Sequence, residues 1–230
     1  MSVTVTYSAA FDDYPLNWDS TDGLYTDNDQ ATGFENEDGF LPFYNQHFDV
    51  ADHSENPGEF AGPEDPNPEV DLGFWGSFGT FSGTQYALEG EDSSMDLGFI
   101  VEAADGSYLN YTFFASPSHT LYGELGSITF GSGLTQDANG EYSFTEELVT
   151  IDGLDSIGLN GGLDANGDVI DRTTGNNDTH NIVNGLMNGD ASELWAALDA
   201  AGYSEVYESS AMAEVLGVAE TTDTELELAA

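Results

Sequence analysis

The chain has no cysteine and no lysine, and apart from four histidines its one basic side chain is Arg172. Without cysteine there is no disulfide scaffold, no thiolate metal site and no cysteine nucleophile. One cation against 44 acidic residues gives a formal net charge of -43, so ion pairs cannot be what stabilises the fold. Repulsion among the acids has to be screened by salt or relieved by bound cations. Such a surface suits a saline, halophilic setting. Nucleic acid and anionic lipid would be repelled, so neither is an expected partner. No apolar run is long enough to span a membrane. The opening MSVTVTYSAAFDDY has neither a basic segment nor an apolar core, so it does not read as a cleaved secretory signal. There is no GxSxG elbow and no glycine loop ending in lysine. Binding is therefore favoured over catalysis, and the chain is not read as an enzyme.

What is present is enough to build a core: 39% of the 230 residues are hydrophobic and 12% aromatic. Val3, Val5 and Tyr7 alternate with Thr4 and Thr6, which predicts a first strand. Residues 12 to 72 are rich in Asp, Asn, Gly and Pro and read as long loops, with one short helix near 40 to 48. From 74 to 150 the pattern becomes an antiparallel meander. MDLGFIVEA and YLNYTFFA read as a strand and its return, and hairpin signals fall at Asp105-Gly106 and Asn139-Gly140. Beyond 150 helices follow. Ile182, Val183, Leu186 and Met187 share one helical face. Asp190 with Glu193 has the form of a capping box, and Gly202 that of a helix stop. SSAMAEVLGVA reads as a third helix capped by Ser209 or Ser210. Strands followed by helices imply an α+β fold, with a curved antiparallel sheet on one face and a few helices packed on the other.

The four histidines are His47, His53, His119 and His180, and their spacing matches no paired-histidine zinc motif. DANGDVID, residues 164 to 171, has Asp164, Asn166 and Asp168 at alternating positions, as a calcium loop does. Val169 stands where that loop needs glycine and Gly175 where it needs glutamate, so the match is partial. Tyr111 and His119 carry a different chemistry. A phenol binds weakly while protonated, and a hard ferric ion favours the phenolate. A neighbouring imidazole can accept the phenol proton or its hydrogen bond. The two are eight apart, and a turn at Pro117 would bring them side by side. Unrelated strand positions are the alternative.

The stretch LNYTFFASPSHTLYGELGSITFGSGL closely resembles the HasA family of secreted haem-scavenging proteins, the haemophores. SVTVTYSAAFDDY, GFWGSFGTFSGTQYAL, HNIVNGLMNGDASELWAAL and VLGVAETTDTELELAA are similar to other parts of the family. The resemblance implies haem b, as ferric haem, held edge-in between two loops. It makes Tyr111 the iron ligand on the second loop and His119 its hydrogen-bond partner. Met187 and the IVNGLM helix would lie near the haem, with His180 at the helix start. For the first loop it offers His53, with His47 as competitor, or no histidine. Here the chain looks longer than the family, with GEFAGPEDPNPEVD as extra material.

The same resemblance implies a single haemophore-like domain over residues 1–217, with a loop-rich insert around 17–72. The acidic tail at 218–230 would be a secretion signal read by an ABC-type exporter (type I secretion). The expectation is thus a secreted, extracellular monomer. It would take haem from host haem proteins and pass it to a TonB-dependent outer-membrane receptor for iron acquisition. The porphyrin needs apolar surface, for which Phe113, Phe114, Leu121, Tyr122 and the Phe48 region are candidates. With almost no cation in the chain, the propionates are expected to face solvent or to take hydrogen bonds from backbone and hydroxyls. The competing expectation is a secreted calcium-stabilised structural or adhesion protein without haem.

Overall fold

In the computed structural model, residues 3–8, 18–19, 24–25, 41, 44–45, 48, 57–67, 81–91 and 96–203 are described. The first strand, β1 (Thr4–Tyr7), forms where the alternation predicts it, with Val5 buried and Thr4 and Thr6 exposed. Two short strands, β2 (Trp18–Asp19) and β3 (Leu24–Tyr25), pair with each other. Then come β4 (Glu59–Ala61), β5 (Ser82–Gly83), β6 (Gln85–Glu89), β7 (Leu97–Ala103), β8 (Leu109–Thr112), β9 (Thr120–Tyr122), β10 (Leu125–Gln136) and β11 (Tyr142–Asp152). Two helices close the described part, α1 (Asp178–Met187) and α2 (Ser192–Ala200). The result is the expected α+β architecture.

The main sheet has six antiparallel strands in the order β1-β11-β10-β7-β6-β4. Its register lines up one row of side chains from edge to edge: Val5, Ile151, Ile128, Val101, Tyr86 and Phe60. Neighbours in such a row touch across strands, and their packing is what stabilises a sheet. Ile151, Ile128 and Val101 are fully buried. Ile182, Val183 and Leu186 of α1 and Leu194 and Leu198 of α2 belong to the same core cluster. A helical turn at Leu41, Tyr44 and Asn45 falls within the predicted short helix. It docks there too: Tyr44 Oη donates to Leu186 O at 2.6 Å, and Ala191 N–H donates to Asn45 Oδ1 at 2.7 Å.

One predicted pairing is corrected. The turn at Asp105-Gly106 forms, with Ser107 N–H bonded to Ala104 O at 2.9 Å, but it does not join a hairpin of β7 and β8. β7 pairs with β10, while β8 leaves to form a second sheet, β5-β8-β9. The reason is hydrophobic match. Ile128 and Phe130 of β10 lie opposite Val101 and Phe99 of β7, and all four are fully buried. The local turn offers nothing equivalent.

The turn at Asn139-Gly140 does join β10 to β11. Asp137 clasps it by accepting from the N–H groups of Asn139 and Glu141 at 2.7 and 3.0 Å. Gly140 supplies the positive φ of 86° that the turn needs. The calcium-like stretch is a copy of this clasp. Asp164 Oδ1 accepts from Asn166 and Asp168 N–H at 2.7 and 3.1 Å, and Gly167 has φ 85°. The alternation of acidic and amide residues there is accounted for by turn chemistry. Among the described residues no three His, Asp or Glu side chains group to hold a metal ion.

The capping box is also corrected. Ala191 occupies the N-cap position of α2, and Asp190 N–H donates to Gly185 O, not to Glu193. The Asp190 carboxylate still accepts from Ser192 N–H at 2.9 Å, and bonds from Ser192 hold its pKa below the usual range. Gly202, at φ 86°, ends the helix as expected. The predicted third helix and the tail at 218–230 lie outside the described residues. No described helix is long and apolar enough to cross a membrane.

Candidate functional site

Tyr111 sits on β8 opposite Leu121 of β9, and Thr112 sits opposite Thr120. The connecting loop runs from 113 to 119 and turns at Pro117, whose peptide bond with Ser116 is cis. Thr112 fastens the loop from inside: its Oγ1 donates to Pro117 O and accepts from Thr120 N–H. His119 takes a positive φ of 53°, a conformation that costs most residues energy but is less hostile to histidine. Tyr111 Oη and His119 Nδ1 are 3.1 Å apart. With neutral imidazole protonated at Nε2, the phenol donates and Nδ1 accepts.

Both side chains line a cavity of about 510 Å³. Its walls come mainly from three places, and Pro57, Gly58 and Arg172 complete the lining. The hairpin gives Tyr111, Phe113, His119 and Leu121. Phe60 and Tyr86, the last two members of the cross-sheet row, give a second wall, and Phe81 lies against the hairpin beside Tyr111 and Phe113. The third is one face of α1: His180, Val183, Asn184 and Met187 fall at helical spacing and all face the cavity. The rings form a linked set. Phe81 stacks on Phe113 with centroids 6.0 Å apart, and Phe113 meets His119 edge-on at 4.8 Å. Tyr86 Oη lies 3.2 Å from Met187 Sδ and also donates to Pro57 O.

A buried asparagine fixes how α1 meets the hairpin. Asn177 is fully buried. Its Oδ1 caps α1 by accepting from His180 N–H at 3.0 Å. Its amide donates to Leu121 O at 3.0 Å and to Ile170 O at 2.9 Å. His180 adds a further tie, since Leu121 N–H donates to its Nδ1 at 3.2 Å. Arg172, in a short 3-10 turn, also reaches the hairpin loop, where its Nε donates to Ser118 O at 3.2 Å.

The electrostatics follow from burial and from that one guanidinium. Burial pushes the Tyr111 phenol above its ordinary pKa, and Arg172 partly opposes the shift. Tyr86 is raised more strongly, by burial and then by Tyr111. His180 is lowered to about 4, by burial first and Arg172 second. It is therefore neutral near pH 7, in keeping with its acceptor role. The site at rest is a neutral phenol beside an exposed imidazole, walled by aromatic and thioether groups.

Of the residues expected from sequence, Tyr111, His119, Phe113, Leu121, His180 and Met187 meet at the cavity. Phe48 does not. It is buried in the core, stacked on Tyr44 at 4.7 Å and next to Phe99 at 5.9 Å. Tyr122 is also buried, and Phe114 points outward, 59% exposed; neither lines the cavity. His47 and His53 lie outside the described residues. Sequence reasoning missed Phe60, Phe81, Tyr86 and Arg172. For Arg172 a signal existed, since it is the only cation of the chain.

Comparison with known proteins bears on this arrangement. The profile of a family described as "Heme-binding protein A (HasA)" matches residues 50–230. The hemophore HasA of Serratia marcescens is 34% identical over 127 residues, which are 55% of this chain and 58% of that protein. The chain thus spans less than two thirds of the length of this curated relative. Among solved structures, the holo hemophore HasA from Yersinia pestis is similar with a TM-score of 0.54 and 25% identity, over 87% of this chain and 90% of that one. An apo structure of the same Yersinia pestis protein has a TM-score of 0.55 and 23% identity, over the same shares, and speaks for the fold.

Proposed function

Because the chain belongs to the HasA family, we propose that it is a haemophore that binds one ferric haem through Tyr111. The observation that carries the proposal is the Tyr111–His119 pair, 3.1 Å apart on an aromatic-walled cavity of about 510 Å³. The residues suit the group. A cavity of this size is in the range that holds a large cofactor. Phe60, Phe81, Phe113, Leu121 and Val183 offer apolar surface for a porphyrin, and a phenolate is a hard oxygen donor suited to ferric iron.

Tyr111 has to lose a proton before it can act as a strong ligand, and burial opposes this. His119 answers the difficulty. Its Nδ1 can take the phenol proton, and the resulting N–H points back at the phenolate oxygen. Bound haem would supply the Lewis-acidic iron that draws Tyr111 into its ionised form. His53 or His47 would be the first-loop partner, or the tyrosine would serve alone. The protein is a carrier, not an enzyme, and haem is its cargo. It works as a secreted monomer, exported through an ABC-type channel. It takes haem from haem proteins and hands it to a TonB-dependent receptor.

The test is a spectroscopic titration of purified apoprotein with ferric haem in high salt, beside Tyr111→Phe. A saturable one-to-one Soret change is expected. In the variant, affinity should drop by more than the roughly 10- to 100-fold that follows loss of an outer partner. A folded wild type with no saturable change overturns the proposal.

A further inference from the structure

The one basic side chain available to a protein of net charge -43 lines the same cavity as Tyr111 and His119. Arg172 is part-buried and tethered, with its Nε held by Ser118 O at 3.2 Å. That bond fixes the guanidinium beside the His119 loop. Its two terminal nitrogens make no hydrogen bond among the described residues. The neighbouring Asp171 feels the Arg172 charge, but its Oδ1 is engaged by Thr173 N–H and Oγ1 at 2.8 and 2.7 Å and no hydrogen bond joins it to the guanidinium. The charge is felt within the site: it opposes the burial-driven rise at Tyr111 and adds to the burial-driven fall at His180.

We propose that Arg172 is a carboxylate-binding subsite of the cavity, whose free guanidinium edge receives a propionate of the porphyrin. The inference rests on the haem reading above and replaces the expectation that the propionates face solvent or take hydrogen bonds only from backbone and hydroxyls. Its physical basis is charge. A porphyrin with two carboxylates must approach a protein whose field repels anions. A guanidinium with two parallel N–H groups is the best match for a carboxylate, and part burial shields the pair from salt. Such a pair would also select the ring orientation that brings a propionate to Arg172. The competing role is structural: Arg172 would only hold Ser118 and so the loop carrying His119.

The two roles separate on uncharged ligands. Ferric protoporphyrin IX and its dimethyl ester, both delivered from dimethyl sulfoxide, are titrated into wild type, Arg172→Gln and Arg172→Lys at one fixed salt concentration. Metal-free protoporphyrin and its ester, followed by tryptophan fluorescence, repeat the contrast without iron ligation. The expected result is a loss of about tenfold or more for the diacids in Arg172→Gln. The esters should change by less than about twofold, and Arg172→Lys should recover part of the loss. Equal losses for acid and ester, or no loss for the acid, overturn the subsite while leaving Tyr111 ligation standing. A folded wild type that binds neither ferric porphyrin overturns the haem reading and the subsite together.

Discussion

The Tyr111 phenol and His119 Nδ1 meet at 3.1 Å because one hairpin carries both. The β8–β9 register puts Tyr111 opposite Leu121, and the positive φ at His119 belongs to the turn that leads into β9. Thr112 locks that turn through Pro117 O and Thr120 N–H. The pair is therefore held largely within one hairpin, with Arg172 adding a distant tie at Ser118 O. The cavity in front of it depends on nearly all of the molecule.

Replacing His119 with alanine should weaken ferric haem binding by roughly 10- to 100-fold, as loss of an outer partner does at metal sites. The fold should persist, because His119 is exposed. Titration with circular dichroism as a folding control tests this. An unchanged affinity would remove His119 from the proposed site.

His180 should make stability depend on pH. Its pKa falls to about 4 in the folded state, from about 6.5 unfolded. Between these values the unfolded chain binds more protons, so stability rises with pH. The contribution is complete above about 6.5 and is lost as pH falls toward about 4. Many carboxylates titrate nearby in pH, so the comparison must be internal. In urea unfolding at pH 5 and pH 7, His180→Gln should lose less stability on acidification than wild type. An equal loss in both would contradict the assignment.

Ile128 stands at the centre of the cross-sheet row and is fully buried. Ile128→Ala leaves a cavity between Val101 and Ile151 and should cost about 2–5 kcal/mol. Urea unfolding in high salt measures it. A loss under about 1 kcal/mol would mean that the row does not carry the core.

Asp164 should behave as a turn clasp, not as a calcium ligand. Thermal unfolding of wild type and Asp164→Asn, with calcium and with chelator, should show the same calcium-induced shift in both. A shift present in wild type and absent in the variant would make the 164–168 loop a calcium site.

The sequence by itself determined what short-range physics can reach. Alternation in VTVTY gave β1, and the helical spacing of Ile182, Val183 and Leu186 gave the buried face of α1. The Asn139-Gly140 turn followed from residues that tolerate positive φ. The spacing of Tyr111 and His119, eight residues apart, left open whether they pair, and the family resemblance rather than the pattern pointed to the contact that the hairpin makes. Tertiary structure alone decided the rest. Whether β7 pairs with β8 or with β10 is a contest between a near turn and a distant hydrophobic match, and the match won. Phe48 was assigned to the cavity and lies in the core, since an aromatic residue suits both and only packing chooses. Arg172 reaches Ser118 across 54 residues, and Tyr86 meets Met187 across 101. No local pattern encodes such contacts. They exist because Asn177 ties α1 to β9 and because the sheet carries its buried row out to Tyr86 and Phe60 at the cavity wall.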